Sequence, residues 1–133
     1  MSYILKLEEK TTYLHATVTG ENTKENVMRY LFEVMGACLQ HDYKKVLIIE
    51  NLAGPGLGVF NMFEITGEVS TEAVRAGLQI AYVDVNIEHD MNALRFSETA
   101  ARNRGINVRI FSDVREAERW LTESSDAHHI GLE

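Results

Sequence analysis

One stretch constrains this chain more than any other: Val46-Leu47-Ile48-Ile49-Glu50-Asn51-Leu52-Ala53-Gly54-Pro55-Gly56-Leu57-Gly58-Val59. A charge-free apolar run ends in a carboxylate and an amide, Glu50 and Asn51. A loop with Gly54, Gly56, Gly58 and the only proline follows, and then an apolar segment at helical spacing. That order reads as a buried central strand, a tight turn and a helix start. In open α/β sheets, ligands and partners meet the chain at the carboxyl ends of parallel strands. Function is therefore sought at this edge.

The flanking segments supply the rest of such a sheet. Tyr3 to Glu8 and Tyr13 to Thr19 are short β-prone runs, joined by the polar Glu9-Lys10-Thr11-Thr12 as a hairpin. Asn22 or Thr23 caps a helix that runs to about His41, with Val27, Leu31, Val34 and Cys38 as its apolar stripe. From Leu57 to Gly77 the spacing is helical, but Gly67 sits mid-segment and Ser70 with Glu72 looks like a second start. Two helical pieces or a kinked one are expected. Leu78 to Val83 is a second buried-type strand ending at Asp84. Asp90 to Arg104 is a helix closed by Gly105, and Asn107 to Phe111 a third parallel strand. Ser112-Asp113 caps a last helix from Val114 to about Glu123.

The order β-β-α-β-α-β-α-β-α predicts an α/β fold: an N-terminal hairpin, then three β-α units, in a mixed sheet with parallel C-terminal strands and about four helices. At 133 residues one domain is expected, over 1–123, with 124–133 a polar, flexible tail. The adjacent His128-His129 of that tail lacks the partners of a metal site. A formal net charge of -7 argues against nucleic-acid and anionic-membrane partners. No basic leader with an apolar core opens the chain, and no apolar run reaches bilayer length, so a cytoplasmic location is expected. Cys38, the only cysteine, reads as a small core residue.

The element order, together with Gly56-Leu57-Gly58-Val59, resembles the STAS domain (sulfate transporter and anti-sigma-factor antagonist). In the bacterial antagonists this loop reads Asp-Ser-Ser-Gly-Leu-Gly-Val, and its second serine is phosphorylated by a partner kinase. Pro55 holds that position here, so a phosphoserine switch is excluded. The later residues look closer still to a STAS-like branch of small bacterial proteins. They are Ile80-Ala81-Tyr82-Val83-Asp84-Val85-Asn86, His89, Ala101 to Phe111, Glu116-Ala117 and Trp120-Leu121. The resemblance implies a non-enzymatic regulatory module that docks a protein partner through Gly54, Pro55, Gly56, Leu57, Gly58, Phe60 and Phe63. It also implies a homodimer as one such pairing.

Other chemistries are weaker. Backbone N–H groups of a glycine turn at a helix start can cradle an anion, but the spacing is neither GxGxxG nor a Walker loop, and Glu50 would repel the charge. A tight turn explains the glycines as well. Glu50, Asn51, Asp84 and His89 share one predicted edge, a candidate for ligand binding or acid–base work if they converge on a concave site. No nucleophile–base pair is visible, the His spacing fits no zinc site, and no cofactor is called for. A third function is binding of a small apolar, lipid-like ligand lined by Met28, Met35, Met62 and Met91. Val59, Phe60, Met62 and Phe63 cannot all face inward on one helix, which favours an exposed interface.

Overall fold

The computed structural model describes residues 2–130, and of 124–130 the backbone alone. A five-stranded sheet runs in the order β1-β2-β3-β4-β5, with β1 (Tyr3–Glu9), β2 (Leu14–Glu21), β3 (Lys45–Ala53), β4 (Gln79–Asp84) and β5 (Asn107–Phe111). The β1–β2 hairpin is antiparallel and every later pairing parallel, as the element order predicts. Each crossover moves one strand in the same direction, so α1 (Lys24–Gln40), α2 (Val59–Ala76) and α3 (Met91–Asn103) share one face. The last helix, α4 (Val114–Ile130), covers the other face through Ala117 and Leu121, both fully buried against Leu47, Ala81 and Val83.

Local chemistry sets the helix ends. Thr23 caps α1, its Oγ1 accepting from the Asn26 N–H at 3.0 Å, and Asp90 caps α3 through the Asn92 N–H at 2.9 Å. Cys38 is wholly buried on the inner stripe of α1, and burial pushes its thiol up to about 11, so it is a packing residue. The outer edge of β5 is occupied by α3. Glu98 accepts from the Ile110 N–H at 2.8 Å, and Arg95 donates to the Ile110 carbonyl at 2.9 Å. Side chains thus fill backbone groups that would otherwise template a further strand.

Three expectations need correction. Of the two forms expected after the loop, two pieces or one kinked helix, the structure has the single helix, α2, and the two-piece form is set aside. The Gly67 penalty of about 1 kcal/mol is offset by packing against α1 and α3 on either side. Ser70 does not cap a new helix; its Oγ donates to the Gly67 carbonyl at 3.2 Å. Strand β3 runs on through Asn51, Leu52 and Ala53, because β2 offers parallel partners as far as Glu21. Helix α4 continues past Glu123 to Ile130, there being no glycine or proline in Ser124 to Ile130 to stop it. The His128 and His129 side chains, and residues 131–133, lie outside the described residues.

Candidate functional site

Strand alternation selects which edge residues meet. In β3, Glu50 points to the helix-covered face with Ile48 and Leu52, while Asn51 points to the opposite face and is exposed. The parallel register sets Glu50 beside Asp84, and Tyr82, two residues earlier on β4, therefore shares their face. Glu50, Asp84 and His89 are brought together; Asn51 is not.

Glu50 is only 3% exposed although it is a carboxylate. The Tyr30 phenol, from the inner stripe of α1 and fully buried, donates to its Oε2, and Tyr82 is a second hydrogen-bond partner. Burial pushes the Glu50 carboxyl up to about 7, against the opposing pull of the two tyrosine hydrogen bonds; Asp84 nearby raises it and His89 lowers it. Burial likewise drives Tyr30 and Tyr82 well above the ordinary phenol range, so both remain donors.

His89 lies between two acceptors. Its Nδ1 donates to Asp84 Oδ2 at 2.6 Å and its Nε2 to the Gly54 carbonyl at 2.9 Å, with both side chains of the His–Asp pair 3% exposed. Asn86 and Asn22 Nδ2 also lie 3.2 and 3.5 Å from Nε2, but the two acceptors are closer and call for two N–H groups, so the ring is assigned as imidazolium. Burial lowers its affinity for the proton, but the Asp84 and Gly54 hydrogen bonds outweigh that and the net shift is upward.

Around this pair, amides tie three loops together. Asn86 donates to the Leu52 carbonyl at 2.8 Å, and Asn22 donates to the Pro55 carbonyl at 2.9 Å. The Asn22 backbone N–H reaches Ala53 at 2.8 Å. The glycine loop is therefore held from both flanks, by the β2–α1 connection and by the β4–α3 connection. A cavity of about 30 Å3 adjoins the cluster, lined by Glu50, Tyr82, Asp84, His89, Gly56 and Leu57 among others. That is room for about one water molecule.

Above the cluster the surface is open. Gly54, Pro55, Gly56 and Gly58 are exposed, and α2 begins with Val59 at 46%, Phe60 at 72% and Phe63 at 45% exposure. Met62 is the member of that group that turns inward. Leu57 is half-buried against the core, so it anchors the loop more than it presents it. Phe63 is partly occupied by the Arg104 guanidinium, 4.6 Å from its ring centre.

Tyr30, Tyr82 and Asn22 were not singled out from the sequence as members of this cluster. A signal existed for the tyrosines, because a phenol on an inward stripe or strand face must find a polar partner. No group of three or more His, Cys, Asp or Glu among the described residues could hold a metal ion. No helix among them is long and apolar enough to cross a membrane. The sequence matches no protein-family model and no curated protein.

Proposed function

We propose that the chain is a non-enzymatic, STAS-like regulatory module of the cytoplasm that binds a protein partner with the loop at 54–58 and the first turns of α2. The observation that carries this reading is the exposure of Phe60, with Val59 and Phe63 beside it, at the carboxyl edge of the parallel strands. Large apolar side chains there, on the first turns of a helix that follows a loop held from both flanks, suit a pre-organised contact surface. With Pro55 in the loop, binding is independent of phosphorylation at that position.

The buried cluster supports the same reading over a catalytic one. Glu50, Asp84 and His89 converge, as acid–base chemistry requires, but the space beside them is small, about 30 Å3. Their hydrogen bonds run to tyrosines, to each other and to the loop backbone. They serve as its foundation.

The test is pull-down with immobilised wild-type protein and the Phe60→Glu variant, from extract of the source cell. Loss of the captured protein in the variant, at unchanged thermal stability, supports the reading. Equal capture by both contradicts it. A second copy of the chain is one partner that the experiment resolves.

A further inference from the structure

Helix α2 packs differently from its neighbours. Its backbone closely approaches α1 and α3, yet stands off from the strands, whereas α3 lies close on β5 and α4 close on β3 and β4. Beneath it lies a cavity of about 110 Å3 between the three helices and the sheet, with Met35, Met62, Ile65, Val69, Ala73 and Ile80 on its walls.

The same gap shows in the exposure of the sheet itself. Under α1, the inner-face residues Ala16, Val18, Val46 and Ile48 are at most 1% exposed. Ile80, Tyr82 and Val108 lie on that same face of β4 and β5, roofed by α2 and α3, and remain only half-buried. The helix-covered face is sealed beneath α1 and is not at Ile80, Tyr82 and Val108, although Ile110 at the end of β5 is buried.

The wall chemistry selects the occupant. Thr66 donates its hydroxyl to the Met62 carbonyl at 2.9 Å, and Ser97 donates to the Leu94 carbonyl at 2.7 Å. Glu98 accepts from the Ile110 N–H, and the Tyr82 phenol is engaged by Glu50. No buried side-chain polar atom among the described residues lacks a partner. A water in this space would find too few partners to replace those it leaves; enclosed apolar cavities of this order take up benzene or xenon, and this one is also partly open to the surface, which gives a ligand its way in.

We infer that the space under α2 is a binding site for a small non-polar molecule, of about the size of a benzene ring. Met35 and Met62, unbranched and polarizable, give the walls the adaptability such a ligand needs. The site is independent of the partner-binding reading, since it lies on the inner side of α2 and Phe60 on the outer.

The experiment titrates the intact chain, labelled at its methionine methyls, with benzene and reads the NMR shifts. Saturable shifts at Met35 and Met62, with the exposed Met91 unmoved, are expected. The cavity-filling variants Ala73→Leu and Ala101→Leu should lose the response. Xenon-pressurised crystals of the wild type locate the site without any variant, and a xenon peak under α2 is expected. Absence of saturable shifts, a xenon peak only elsewhere, or an undiminished response in a folded filled variant would overturn the inference.

Discussion

His89 donates from Nε2 to the carbonyl of Gly54, 2.9 Å away, so the residue that opens the glycine loop is held by the loop after the neighbouring strand. The opposite ring nitrogen is engaged by Asp84 at 2.6 Å, which fixes the ring's direction. A charge-assisted pair of bonds, nearly out of solvent, thus decides where the exposed turn sits.

Removing that ring should loosen the loop before it unfolds the protein. The His89→Gln variant is expected to lose about 2 kcal/mol, the usual worth of a hydrogen bond to a charged group with its partner left short. Amide hydrogen exchange at residues 53–58 should accelerate while β3 and β4 stay protected. Uniform acceleration across the sheet would show that the pair serves general stability instead.

The pH dependence has a definite sign. Glu50 titrates near 7 in the fold against an ordinary value of 4.5, and His89 is also raised. Both groups bind a proton more tightly folded than unfolded, so stability is highest in mild acid and falls as pH rises. For Glu50 the loss runs from pH 4.5 to about 7 and approaches about 3 kcal/mol; for His89 it runs from the ordinary value of 6.5 up to the raised value in the fold. Glu50→Gln removes the first window. In urea unfolding the variant should match wild type near pH 4.5 and exceed it at pH 8, whereas parallel profiles would place the titration elsewhere.

Gly20 packs closely against the backbone of β1. Its φ is +137°, and a Cβ there would lie 2.8 Å from Tyr3 Cα. Gly20→Ala should therefore cost more than about 2 kcal/mol, through strain and displacement of β1, measured by chemical denaturation. Gly58→Ala makes the contrast: a Cβ there meets nothing within 4 Å, and little change is expected.

Phe60→Glu should leave stability within about 0.5 kcal/mol of wild type, because the side chain is 72% exposed. Leu57→Glu should not, since that residue packs on the core and lines the small cavity beneath the loop. Melting temperatures of the two variants separate presentation from support.

Much of the fold was legible because its strands announce themselves. Asn107 to Phe111 and the Asp90 cap sit where the pattern puts them, and the run ending at Glu50 is the central strand. Gly67 misled, because a helix flanked on both sides by others tolerates a poor helix former. The edge cluster was half legible. Period-two alternation could have set Asn51 aside from Glu50, but the partnership of Tyr30 with Glu50 depends on how α1 crosses the sheet, which no local pattern encodes. The stand-off of α2 is likewise a tertiary property, invisible in an apolar stripe that looks like any other.

The most direct measurement is site-specific photocrosslinking in the source cell, with a photoreactive phenylalanine at position 60 and, as control, at position 19 on the sheet's opposite face. Partner binding at the strand-end rim predicts a discrete crosslinked protein from position 60 and none from position 19. Crosslinks of equal yield from both positions, or none from position 60, would contradict it.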